Sequence, residues 1–102
     1  MSRDLSRIQS EAQRLQVLLA LDASPGGVAN GEVMQMALQL VGYPLTMTRL
    51  RAEVDWLAEA KLVAVEEIND GLFVVQLLEA GEDAAHGRTT VAGVKRPRRP
   101  SR

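Results

Sequence analysis

Thr48, Arg49 and Arg51 stand close together in a segment whose apolar spacing predicts a helix. Arginine donates two hydrogen bonds to one guanine edge, and threonine reaches a base or a phosphate. On a helical wheel centred on Leu50, the outward face carries Thr48, Arg49, Arg51, Ala52, Asp55 and Glu59, with Trp56 at its edge. The chemistry such a face could do is non-covalent recognition of double-stranded DNA. The same face also reads as a solvated surface, on which Arg51 and Asp55 form an i, i+4 pair worth about 0.3 kcal/mol.

A second cationic group lies at the C-terminus. Residues 1–87 hold all 13 acids against six Lys and Arg, a net charge of −7. Residues 88–102 hold six basic residues and no acid, a net charge of +6. Lys95, Arg96, Arg98 and Arg99 dominate that tail, and a cationic tail on a folded body fits a polyanion. If all six cations met phosphates, binding would weaken with salt at a log–log slope of roughly −5. A solubilising end is the plainer use of the same residues. Against DNA stand the acidic body and Glu66, Glu67 and Asp70, which would repel phosphates.

Covalent and metal chemistry find little support. The chain has no cysteine, and His86 is its one histidine, so neither a thiolate nor a two-histidine metal site can form. Pro25-Gly26-Gly27 lacks the Gly-Lys-Ser/Thr of a phosphate loop. The acids are spread over surface faces, without a paired, buried placement. We therefore expect no enzyme, no cofactor and no metal. The N-terminus does not read as a signal peptide, and no apolar run approaches the ~20 residues that span a bilayer. The expected compartment is the cytoplasm of a bacterial host cell, with no membrane partner.

The elements that must position these residues are well punctuated. Leu5, Ile8, Ala12, Leu15 and Leu19, with Leu18 beside them, predict a first helix over about residues 4–22. Ser24-Pro25-Gly26-Gly27 ends it. Asn30 caps a second helix whose stripe is Val33, Met34, Ala37, Leu38 and Val41, closed by Gly42-Tyr43-Pro44. Thr46 caps a third, with Leu45 and Leu50 spaced as a hydrophobic staple. Its inward stripe is Met47, Leu50, Val54 and Leu57, and it runs to about Lys61. Trp56 is expected in the core, with a place against the wing or in an interface as the alternatives. Residues 62–68 and 72–77 are β-branched and apolar around Asn69-Asp70-Gly71, a hairpin signal. Glu79 to His86 reads as a short closing helix weakened by Gly81. The Gly-, Pro- and Arg-rich residues after Gly87 are expected to be disordered.

This order defines the expected fold: an α+β, mainly α winged helix-turn-helix, a three-helix bundle with a β-hairpin wing and a short C-terminal helix. The domain is expected to span residues 1–87 and the basic tail residues 88–102. A bare three-helix bundle with a hairpin is the alternative. The run from Leu50 to Val63, together with Leu78-Glu79-Ala80-Gly81 and Gly87-Arg88 through Gly93-Val94-Lys95-Arg96-Pro97, resembles a family of small proteins from Mu-like phages and prophages. That family is described as winged-helix regulators similar to the arsenic-repressor group. The resemblance covers about residues 13–97, and Gly-Val-Lys-Arg-Pro is its most distinctive part.

The resemblance implies a sequence-specific DNA-binding protein that regulates phage or prophage transcription. The third helix would enter the major groove, and the tail would hold backbone or minor groove. The competing expectation is a protein-interaction adaptor that binds no DNA and uses its acidic surface. Leu5, Ile8 and Ala12 offer a stripe on which a homodimer could form.

Overall fold

The structure, a computed structural model, describes residues 2–98. The first amphipathic pattern becomes helix α1, Ser2–Asp22. Its 21 residues span about 31 Å at 1.5 Å per residue. Leu15, Val17, Leu18 and Leu21 are buried, whereas residues 4–9 are all exposed. Leu5 and Ile8, which belong to the apolar pattern that predicts this helix, therefore lie outside the core. The helix simply outruns the elements that cover its C-terminal half.

A single 3-10 turn, Pro25–Gly27, leads into strand β1, Val28–Asn30, which the sequence pattern does not predict. Helix α2, Gly31–Leu40, follows with the expected cap: Asn30 Oδ1 accepts from the Val33 amide at 2.8 Å. Met34 and Leu38 carry its buried face, while Val33 and Val41 are exposed. Tyr43 N–H donates to the Leu38 carbonyl and Gly42 N–H to that of Gln39, a Schellman ending.

Helix α3, Met47–Glu59, starts on Thr46, whose Oγ1 accepts from the Arg49 amide at 3.1 Å. Leu50, Val54 and Leu57 are buried as their spacing predicts. Its end repeats the Schellman bonds, Leu62 to Leu57 and Lys61 to Ala58, but with Lys61 held at φ +66°.

Strands β2, Val63–Asn69, and β3, Leu72–Leu77, form the expected hairpin around Asp70-Gly71. The register shifts between Glu67 and Asn69. β3 also pairs with β1, so the antiparallel sheet has the order β1-β3-β2. Val75, opposite Ala29 on one side and Val65 on the other, is fully buried.

Helix α4, Glu79–Ala85, forms despite its glycine. A Cβ at Gly81 would lie 2.1 Å from the Leu62 carbonyl oxygen, so the missing side chain lets α4 sit against the backbone entering β2. The architecture is thus a mainly helical α+β fold of four helices and one three-stranded antiparallel sheet. Among the described residues, no helix is long and apolar enough to cross a membrane.

The expected disorder after Gly87 does not hold for residues 88–98. Val94 is buried, Val91 packs against the core, and the Lys95 amide donates to the Glu11 carbonyl of α1 at 3.1 Å. Two valines in a Gly- and Pro-rich stretch suffice because α1 and α3 leave a surface for them. Packing therefore continues beyond the expected domain boundary at residue 87. Arg99 and the residues after it lie outside the described residues.

Candidate nucleic-acid interface

The core stripe of α3 turns its opposite face outward. Thr48, Arg51, Ala52 and Asp55 come together there with Met47, Gly71 and Phe73 in an open groove of about 410 Å³ between α3 and the hairpin. Four of the six residues expected on the outward face of this helix thus share one surface. Thr48 and Ala52 are exposed and make no side-chain hydrogen bond. They are the parts of the groove free to touch a ligand.

Arg51 is less free. Its Nη2 lies 3.0 Å from Glu67 Oε1 and its Nη1 donates to Glu67 Oε2 at 3.2 Å, a bidentate clasp from α3 to β2. Its Nε donates to Asp55 Oδ1 at 2.9 Å, the expected i, i+4 pair. The guanidinium carbon stands 4.7 Å from the centre of the Phe73 ring. The bonds to Glu67 first, and then to Asp55, raise the Arg51 pKa further above its ordinary value. The hairpin acid expected to repel phosphate instead neutralises the groove's one cation.

Arg49 does not join the groove. It turns towards α1, donating to Ser10 Oγ at 2.6 Å and Gln13 Oε1 at 3.1 Å, and pairs with Glu53 Oε2 at 3.1 Å. A helical wheel cannot foresee this, because α1 crosses α3 where Arg49 emerges.

Glu53 corrects the expectation that the acids stay on the surface. It is 3% exposed, and its other oxygen accepts from Arg14 Nε at 2.8 Å. A buried carboxylate requires such partners, since leaving it unpaired would be costly. Arg14 also donates to the Gly93 carbonyl at 2.9 Å and stacks on Trp56, its guanidinium carbon 4.0 Å from the ring centre. A Cβ at Gly93 would sit 2.5 Å from the Trp56 ring, and Gly93 has φ +94°. Trp56 is therefore half-buried under the C-terminal segment, and not inside the core. The buried Glu53, at an inward helix position, was the available signal for this node.

The tail cations line a different surface. Lys95, Arg96 and Arg98 border a groove of about 620 Å³ whose floor includes Leu15, Leu19, Ala85 and Pro97. None of the three makes an ion pair among the described residues. Arg88, by contrast, donates to Asp83 at 2.9 Å, and that bond raises its pKa. The structure thus separates the helix residues and the tail residues into two grooves. Arg99 lies outside the described residues.

His86 is not isolated in space. Its Nε2 lies 2.9 Å from Asp22 Oδ2, and Glu82 completes a group whose ligand atoms lie within 4.8 Å of one another. All three residues are exposed; Glu82 stands one helical turn before His86 on α4, whereas Asp22 comes from the end of α1, where no local spacing points to it.

Fold and surface together define a small α+β protein with an open groove between its third helix and its hairpin. The chain is 40% identical over 94 residues to the uncharacterized protein gp26 of Escherichia phage Mu, covering 92% of this chain and 96% of that protein. It belongs to that Mu-like phage protein family. No protein-family model matches the chain, and no solved structure matches it.

Proposed function

We propose that this protein is a winged-helix DNA-binding protein that regulates phage or prophage transcription. The observation that carries the reading is topological. The order α1, β1, α2, α3, β2, β3, with a β1-β3-β2 sheet, leaves the N-terminal face of α3 open beside a hairpin. That is the arrangement in which a helix enters a major groove while a wing meets flanking backbone. Thr48, Arg51 and Ala52 stand nearest the bases, with Asp55 further along the helix. Lys95, Arg96 and Arg98 supply attraction for phosphate from the separate C-terminal groove, and Arg99, outside the described residues, adds its charge.

One observation favours a second reading, an adaptor that binds a basic protein partner and no DNA. Glu67 ties up Arg51, and Glu66 and Asp70 leave the hairpin acidic. The two readings separate in a salt series of binding to random-sequence duplex DNA. The full chain is compared with Lys95→Gln/Arg96→Gln/Arg98→Gln and with Thr48→Ala/Arg51→Ala. DNA binding predicts that the triple variant loses roughly three phosphates' worth of salt slope, a change near 2.7. It also predicts that the α3 variant loses preference for a selected site. Absence of binding at low salt overturns the proposal and favours the adaptor.

A further inference from the structure

The segment from Val33 to Thr48 contains no charged residue in 16 positions, although charged residues are 25% of the chain. A surface stretch of that length would carry about four at this composition. The uncharged stretch is also where the molecule is most apolar outside its core. Val33, Met36, Leu40 and Val41 are 46%, 59%, 87% and 60% exposed. Val33, Met36 and Leu40 recur at helical spacing on α2, away from the buried Met34 and Leu38.

The stripe leads into the α2–α3 connection, which faces the free end of α1. There Ile8, Ala12, Tyr43, Pro44 and Leu45 line a groove of about 350 Å³. Ile8, one wall of that groove, and Leu5, one turn before it on α1, are each 56% exposed and make an apolar ridge at its edge. Ridge and groove thus lie side by side on one surface. A two-fold axis would seat the ridge of each copy in the groove of the other, the self-complementary arrangement of an isologous pair.

The area is of the right size for that occupant. Fully burying one large aliphatic side chain removes roughly 60–120 Å² from water. At the exposures above, the six apolar side chains offer roughly 200–450 Å² per copy. A standard interface covers about 800 Å² per partner, of which roughly 450 Å² is apolar. Ala12, Tyr43 and Leu45, each partly exposed, add to that area. Depletion of charge with Met and Tyr present is the composition of an interface centre. On the α2 side it also spares the face the repulsion that two acidic bodies exert elsewhere, while Asp4, Arg7 and Glu11 flank Leu5 and Ile8 on the α1 side. The N-terminal turns of α1 gain a neighbour they otherwise lack, since short unpacked helical segments are marginal in water.

We propose that this face joins two copies of the chain in a symmetric homodimer, with Leu5, Ile8 and Leu40 at its centre. The inference is independent of DNA binding, and its test contains no DNA. Sedimentation velocity on the full chain, over about 1–200 µM, reads the monomer–dimer equilibrium. Ile8→Glu and Leu40→Glu should each weaken dimerisation at least tenfold, whereas Glu66→Lys on the hairpin should leave it unchanged. Circular dichroism should show all three variants folded, since each replaced side chain already faces solvent. A chain that stays monomeric to about 200 µM overturns the proposal. So does a dimer that Ile8→Glu and Leu40→Glu leave intact, or association that runs past two copies.

Discussion

Arg51 and Glu67 face each other across the gap between α3 and β2, joined by Nη2–Oε1 at 3.0 Å and Nη1–Oε2 at 3.2 Å. The clasp fixes the hairpin to the helix and removes a positive charge from the groove they enclose. Any polyanion that enters must either displace Glu67 or bind without Arg51.

Glu67→Gln should therefore increase DNA affinity several-fold at low salt, and where the freed Arg51 meets a phosphate rather than a base edge it should also steepen the log–log salt slope by about 0.9. Stability should change by no more than about 1 kcal/mol, because the pair is solvent-exposed. Fluorescence anisotropy of a labelled duplex across a salt series reads both slope and affinity. An unchanged slope would show that Arg51 does not meet phosphate.

Glu53 is the opposite case, a carboxylate held in the interior by Arg14 and Arg49. Glu53→Ala should destabilise the fold by about 2–4 kcal/mol, because it leaves the mostly buried Arg14 without its partner. Urea unfolding measures the loss. A change below about 0.5 kcal/mol would mean that water replaces the carboxylate at no cost.

Gly81→Ala separates local propensity from packing. Propensity alone favours alanine by about 1 kcal/mol within a helix. The 2.1 Å approach of its Cβ to the Leu62 carbonyl predicts the reverse, a loss of at least about 2 kcal/mol. Thermal unfolding followed by circular dichroism decides the sign.

Lys61 occupies a left-handed conformation that costs a side-chain-bearing residue roughly 1 kcal/mol. Lys61→Gly should raise stability by about 0.5–1 kcal/mol, since glycine is the usual residue at this point of a Schellman ending. Its side chain is exposed and makes no ion pair among the described residues that would offset the gain. Lower stability in urea would contradict this.

Removing residues 88–102 should do more than remove charge. It exposes the site of Val94 and takes the Gly93 carbonyl from Arg14 and the covering backbone from Trp56. We expect a loss of about 2 kcal/mol, or roughly 10 °C in Tm for a chain of this size. Emission from Trp56, the only tryptophan, should shift to the red. A truncated chain with unchanged Tm and emission would show that the segment does not pack in solution.

Much of the fold was legible along the chain. Asn30, Thr46 and Asn69-Asp70-Gly71 act through bonds or dihedrals only a few residues long, so α2, α3 and the hairpin stand where their signals place them. Leu50, Val54 and Leu57 mark a buried stripe by spacing alone. What failed was non-local. Strand β1 is three residues long and exists because β3 pairs with it, not because Val28-Ala29-Asn30 favours a strand. Residues 91–97 look disordered by composition, yet they order on a surface assembled by α1 and α3.

The site divides in the same way. Which residues α3 turns outward can be read along the chain, because helical period is a property of the backbone. The turn of Arg49 towards α1, the neutralisation of Arg51 by Glu67, and the separate groove of Lys95 and Arg96 arise from how the elements pack. Charge pairing depends on which elements cross, and residues 14 and 53, or 51 and 67, become neighbours only when the chain closes on its core.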